Sequence, residues 1–312
     1  MESPSASVVS RTFDVVVLGS IGIDTNIYLP GEDIDFSVEA NFTQNVDYIG
    51  QAGGYACRAY RSLGKRTAMI GRVGDDIFGQ EIRRTLEEEG IDASALFVDR
   101  SGTARSVNFM YHDGRRKNFY DGKGHMTFEP DLAVCRKVLA GARLVHVNLA
   151  NWTRHLLPIA QELDLVIACD VQDMTRLDDP YRQDYLHAAD IVFFSAVNQD
   201  SPDAWIRALV EANPDQIVIA GMGAEGCTVG IADDMVHFPV PPMNLPVIDS
   251  NGAGDLLAAG FLCSYILDGY SLEDSVLRGQ IAARHVCSLK GTTEGLIREE
   301  ELNRYHANLR AP

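Results

Sequence analysis

The stretch Asp249-Ser250-Asn251-Gly252-Ala253-Gly254-Asp255 follows a Pro-rich extended segment, Phe238-Pro239-Val240-Pro241-Pro242, and precedes the apolar run Leu256 to Leu262. Small residues therefore sit where a loop becomes a helix. The first-turn N–H groups of a helix have no intrahelical acceptor and carry the positive end of its dipole, so they attract an anion. Gly252 and Gly254 let an anion approach the backbone closely. Asp255 would repel that anion, unless it takes a proton from a nucleophile attacking it. Capping of the helix by Asp255 is the competing reading, and this stretch alone does not decide between the two.

Upstream of this stretch, strands and helices alternate. From about residue 131 the pattern reads helix 131–140, strand Leu144 to Val147, helix 153–162 and strand Leu165 to Cys169, which ends in Asp170. Helix 180–187, strand Ile191 to Phe194, helix 202–212, strand Gln216 to Ala220 and a short hairpin over 227–240 follow. Helices near 255–268, 271–289 and 298–308 close the chain, with Ser271 and Asp274 spaced as a capping pair. Near the start, Phe13 to Leu18 is a β-branched run typical of a strand buried on both faces. Residues 50–55 read as a Gly-rich loop before a helix from Ala56 to Leu63. Lys65 to Ile70 reads as a strand, and Gly71 to Gly79 as a loop opening a helix from Gln80 to Glu89.

This alternation predicts an α/β fold with a mostly parallel sheet covered on both faces. Segments 25–50 and 103–120 alternate loosely, the second around a hairpin turn at His112-Asp113-Gly114-Arg115. They predict a small β-sheet lid inserted into a single domain spanning 11–312. Asp24, Asp170, Asn198, Gly221 to Gly226 and the 249–255 stretch all fall near predicted carboxyl ends of strands, where open α/β sheets bind ligands.

The 312 residues are 46% hydrophobic and 23% charged, with a formal net charge of -17. That charge argues against a nucleic-acid partner, which needs a basic face. The six cysteines are scattered without metal-ligand spacing and read as reduced core thiols. There is no apolar run of membrane-spanning length and no secretory signal pattern, so no membrane partner and a cytoplasmic location are expected.

With these motifs in place, the chain resembles the ribokinase/PfkB family of carbohydrate and nucleoside kinases over roughly 13–305. Asp249 to Asp255 is close to the family pattern D-T-x-G-A-G-D, and Gly71-Arg72-Val73-Gly74-Asp75-Asp76-Ile77-Phe78-Gly79 is similar to G-x-x-G-D-D-x-F-G. Gly19 to Asp24 resembles the N-terminal G-x-x-x-x-D. The resemblance implies a ribokinase-like three-layer sandwich and transfer of the γ-phosphoryl group of ATP, with Mg²⁺, to a hydroxyl of a sugar or related polyol. A nucleoside is the second substrate class, and Tyr28, Phe36, Phe42, Tyr55 and Tyr111 are the aromatics that could line a base pocket. From another class, a non-catalytic sugar- or nucleotide-binding protein of the same fold is the alternative.

By resemblance, Asp255 is the base and Gly252, Ala253 and Gly254 form the anion hole. Asp24, Gly53, Gly54, Tyr55 and Asn251 would contact substrate, and Asn198, Gly221, Gly223, Gly226 and Gln280 would contact nucleotide. In relatives the lid often forms a homodimer interface, and Val107, Phe109 and Tyr111 are apolar enough to allow one. Asp249 and Ser250 match where some relatives bind K⁺, although an ordinary strand-to-loop junction explains them equally well.

Three positions depart from the family. Counted back from Leu63-Gly64, its glycine pair falls on Gly50-Gln51 and its sugar-contacting Asn on Tyr55; taking Gly53-Gly54 as the pair makes the helix three residues short, and either way the Asn is absent. Its N-x-x-E, linked to Mg²⁺, becomes Asn198-Gln199-Asp200-Ser201, so Asp200, Asp203 or a bridging water would have to replace the Glu. Arg115, Arg116 and Lys117 form a basic lid tip, a kind of run that is usually solvated. His146 and Trp152 read as core residues.

Overall fold

A computed structural model describes residues 11–112, 116–197 and 199–311. In chain order the strands and helices are β1 (Phe13–Leu18), β2 (Gly22–Tyr28), β3 (Gln44–Gly50), α1 (Gln51–Ser62), β4 (Thr67–Gly74), α2 (Ile77–Glu88), β5 (Asp92–Asp99), β6 (Ala104–Met110) and β7 (Arg116–Asp121). Then come α3 (Leu132–Leu139), β8 (Ala142–Asn148), α4 (Leu157–Glu162), β9 (Val166–Asp173), α5 (Gln183–Ala188), β10 (Ile191–Ser195), α6 (Pro202–Ala212) and β11 (Ile217–Gly221). The chain finishes with β12 (Cys227–Ile231), β13 (Asp234–Phe238), α7 (Ala253–Leu262), α8 (Leu272–Val286) and α9 (Glu299–Arg310).

Nine strands form the central sheet in the order β13-β12-β11-β10-β9-β8-β1-β4-β5. Pairings from β11 through to β5 are parallel, and β12, antiparallel to both β11 and β13, is the one reversed strand. The β1 sequence explains its central place. Val15 and Val17 point into one core with α1, α7 and α8, while Val16 and Leu18 point into the other with α3, α4 and α6. Alternate residues of a strand face opposite sides, so a strand covered on both faces must be apolar throughout. The second sheet has four strands, β3-β2-β6-β7, with β2–β6 parallel and the other two pairs antiparallel.

Three local expectations are corrected. The helix expected from Ala56 begins at Gln51, so Gly53 and Gly54 lie in its first turns and not in a loop. Tertiary packing overrides their poor helix propensity, because the bare Gly53 lets α1 lie against Ser20, whose carbonyl oxygen would be 2.7 Å from a Cβ there. Strand β4 continues through Gly71 to Gly74 with all eight residues buried, and it pairs with β5, an element the sequence pattern did not show. The β5 signal is masked by Asp92 and Ser94, which bond to each other at the strand's start. Asp24 lies within β2, not in a loop beyond β1.

His146 and Trp152 are wholly buried. His146 bonds the Tyr60 hydroxyl at 3.0 Å, and burial lowers its pKa to about 3, so it is a neutral core residue. All six cysteines are free thiols. Among the described residues no helix is long and apolar enough to cross a membrane.

Candidate active site

The Gly252-Ala253-Gly254-Asp255 segment forms the start of α7. Gly252 is the residue before the first helical turn and has φ +75, the left-handed region. A side chain is excluded there twice over, by that conformation and by Thr292, whose Cγ2 would lie 2.4 Å from a Cβ. Thr292 Oγ1 donates to the Asn251 carbonyl at 2.8 Å and fixes the turn. Gly254 is exposed, and a Cβ there would meet nothing within 4 Å. The helix therefore opens its first-turn amides onto free space.

Asp255 is the third residue of α7. The N-cap residue, Gly252, has no side chain to cap the helix, and Asp255 stands as the acidic residue of its first turn. Its carboxyl pKa is raised well above the usual range, first by burial and then by the negative charges of Asp170 and Asp24, while Arg116 opposes the shift. Asp170 lies inside β9 and is 9% exposed. Burial pushes its pKa up to about 6, although it accepts the Gln172 N–H at 2.8 Å. Asp255 is half-buried, and a carboxylate held among like charges has an enhanced proton affinity, which suits a general base. The apolar run ending in Asp170 marked that residue as a ligand candidate. Its charge reaches Asp255 through the tertiary fold, which no local pattern encodes.

The substrate-side residues form one network. The Tyr55 hydroxyl donates to Asp24 Oδ2, and the Gln51 N–H reaches the same oxygen at 3.3 Å. Asn251 Nδ2 donates to the Tyr48 and Tyr55 hydroxyls, both at 2.9 Å, and Asn251 Oδ1 accepts from Arg116. Tyr55 thus holds Asp24 in place. Asp24 is buried, its pKa is raised by that burial, and its Oδ1 has no partner among the described residues. Gly53 and Gly54 are buried behind Tyr55 in α1. Arg116 is the member of the basic tip that enters the site, while Arg115 lies outside the described residues.

Asp249 ties the small sheet to the loop that leads into α7. Its Oδ2 accepts from Asn26 at 2.6 Å and from the Tyr28 hydroxyl at 2.7 Å, and its Oδ1 accepts the Asn251 N–H at 2.8 Å. Asn118 donates to Asn108 and Asn108 to Asn26, so an amide ladder crosses the small sheet and ends on the motif's first residue. These bonds leave a single carboxylate lone pair for a K⁺ ion. That lone pair suffices for one oxygen ligand, and the neighbouring Ser250 is exposed.

On the nucleotide side, Gly221 ends β11, and Gly223 and Gly226 take positive φ values of 61 and 100 in the turn that follows. Gln280 is buried in α8, and its amide donates to the Phe238 carbonyl at 2.8 Å, so it braces the segment leading to the motif. Asp200 is exposed, and Asn198 lies outside the described residues. Phe36 and Phe42, proposed for a base pocket, are 89% and 93% exposed and line nothing. Among the described residues, no group of three or more His, Cys, Asp or Glu side chains could hold a metal ion. Mg²⁺ in phosphoryl-transfer sites needs only one or two carboxylates beside nucleotide phosphates and water, so the carboxylates here suit that donor chemistry.

Residues 12–299 match the model of the pfkB family carbohydrate kinases. The chain is 31% identical over 294 residues to an acarbose 7(IV)-phosphotransferase from Actinoplanes sp., covering 92% of this chain and 96% of that one. It is 26% identical to a 5-dehydro-2-deoxygluconokinase from Photobacterium profundum, with 94% of each chain covered. Among solved structures, a microbiome-derived acarbose kinase superposes with a TM-score of 0.86 at 29% identity, covering 95% of this chain and 99% of that chain. The architecture is ribokinase-like, with a large mostly parallel sheet, helices on both faces and a smaller second sheet.

Proposed function

The chain belongs to the pfkB family of carbohydrate kinases, and from that membership we propose that it transfers the γ-phosphoryl group of ATP to a hydroxyl of a sugar or related polyol. The observation that carries the proposal is the position of Asp255, a carboxylate of raised proton affinity in the first turn of α7, beside amides that open onto free space at Gly254. Asp24 accepts a substrate hydroxyl. Asp255 takes the proton of the attacking hydroxyl, and the amides of Gly252, Ala253, Gly254 and Asp255 hold the charge that develops on the transferred group. Mg²⁺ supplied with ATP would offset phosphate charge, with Asp200 as the described donor nearest the altered N-x-x-E motif in sequence.

The small sheet closes over the sugar in this scheme and excludes water that would otherwise be phosphorylated. Phe119, 56% exposed beside Phe109 on that sheet, supports a homodimer through the same element. Sedimentation showing only monomer would remove this part. We place the enzyme in the cytoplasm, where ATP is available.

Two of the similar proteins are acarbose kinases by name, so acarbose leads the panel of probe sugars, followed by 5-dehydro-2-deoxygluconate, fructose, ribose and nucleosides. Incubation with labelled ATP and Mg²⁺ should phosphorylate at least one sugar. If sugars bind but none is phosphorylated, the non-catalytic alternative holds. Exposure of Phe36 and Phe42 lowers the nucleoside reading. Within this scheme Asp24→Ala should raise the sugar KM between about ten- and a hundredfold, the worth of a hydrogen bond to a charged group. The KM for ATP should stay unchanged, and an equal rise in both would place Asp24 outside the sugar site.

A further inference from the structure

Gln51 opens α1 with φ +65, a left-handed backbone that a residue bearing a Cβ rarely adopts. In the register counted back from Leu63-Gly64 it takes the place of the second glycine of the family pair, and its positive φ is the backbone that glycine adopts without strain. Gln51 is 7% exposed, and neither Nε2 nor Oε1 has a hydrogen-bond partner among the described residues. Backbone strain and an unpaired buried amide are both unfavourable, and strain of this kind gathers where a site is organised for a ligand.

The surroundings say what the amide faces. Gln51 Nε2 lies where a Cβ on Gly22 would be 2.6 Å away, and Gly22 is two residues from Asp24 on β2. Asp24 Oδ1 is buried and also unpartnered among the described residues. Asn148, 1% exposed at the end of β8, has both amide atoms unpartnered, and its Cβ lies 2.9 Å from a Cβ built on Gly19. Three buried polar side chains with unused donors and acceptors thus border Gly19 to Asp24. A carboxamide offers one acceptor and two donors, which matches a hydroxyl in either direction.

We propose that Gln51 is a specificity-determining residue, its carboxamide hydrogen-bonding one sugar hydroxyl while Asp24 Oδ1 accepts from the neighbouring one. This rests on the sugar-kinase reading above. It deepens that reading by naming a contact that a chain with glycine at this position lacks.

Gln51→Gly separates a ligand contact from a structural role. Glycine fits the left-handed backbone, so the variant should melt at the wild-type temperature or up to about 2 °C above it. With whichever probe sugar the wild type phosphorylates, acarbose first, its sugar KM should rise about tenfold, the worth of one neutral hydrogen bond. The KM for ATP should not move. Gln51→Asn, which tolerates the backbone but is one methylene shorter, should fall between the two. An unchanged sugar KM in Gln51→Gly, with or without a lower melting temperature, overturns the proposal. If the wild type turns over no sugar, the kinase reading fails on its own, and stabilisation against melting by the same sugars decides here. Loss of that stabilisation in Gln51→Gly supports the contact, and its persistence overturns it. A wild type that neither phosphorylates nor binds any of these sugars overturns both.

Discussion

Asp255→Asn should lower kcat by about 10²–10⁴, the span that a positioned general base contributes, while the KM for ATP stays near wild type. The expectation follows from what the substitution keeps. Asparagine has the shape of aspartate, so α7 should start as before, with Gly252 in its left-handed conformation and Thr292 against it. The first-turn amides, which bind the phosphoryl group, are backbone and survive the change. What disappears is the only atom in that turn able to accept the proton of the attacking hydroxyl. The amide also removes a negative charge from a site that already holds Asp24 and Asp170, so nucleotide binding should hold or tighten. The measurement is steady-state kinetics with the best probe sugar, together with nucleotide affinity by calorimetry. A variant with wild-type kcat would show that the proton leaves by another route. A variant that loses ATP affinity and kcat together would point to a role in nucleotide binding.

The parts of this site that were legible in the sequence are those whose chemistry is local. Gly252, Gly254 and Asp255 announce themselves because a helix start that approaches an anion needs small residues in sequence, and a carboxylate among them needs an explanation. The β1 run announces itself because burial on both faces demands an unbroken apolar stretch. Asp170 was visible as the end of such a run, yet its electrostatic influence on Asp255 was not, because the two residues lie on elements distant in sequence. Tyr55 was read as a substrate contact at the position of a missing Asn. Its hydroxyl donates to Asp24, a relation set by how α1 packs on β2. Arg116 sat in a run that usually stays in solvent, and only the pairing of β7 with β6 turns it toward Asn251. Gln280 carries an amide in the expected helix, and that amide also donates to the Phe238 carbonyl, a partner fixed by tertiary packing. Residue type and spacing specify which groups are chemically capable, while packing decides whom each one meets.

Asp170→Asn should make the unliganded protein more stable at neutral pH and move the acid limb of its activity to lower pH. The sign follows from the direction of the shift. The Asp170 pKa rises from 3.8 to about 6 on folding, so the folded chain holds this proton more tightly than the unfolded chain. The stabilisation is fully present below the unfolded value and is lost as pH rises through about 6. At pH 7 and above the charged form is therefore disfavoured in the fold, by roughly 3 kcal/mol for a shift of this size. Asparagine can keep the Gln172 N–H bond through its carbonyl oxygen and carries no charge to bury. The variant should melt roughly 5 °C above wild type at pH 7.5 in the absence of nucleotide, with the difference shrinking toward pH 4. Asp255 would lose the like charge that ranks after burial among the causes of its shift, so its own pKa should fall. The acid limb of kcat/KM should follow it downward. A lower melting temperature at pH 7.5 would mean that Asp170 is charged and paired in the fold, and an unmoved acid limb would mean that its charge does not reach the base. Wild-type instability at neutral pH and a base of high proton affinity are then two consequences of one arrangement, in which carboxylates are crowded where phosphate chemistry requires an acceptor.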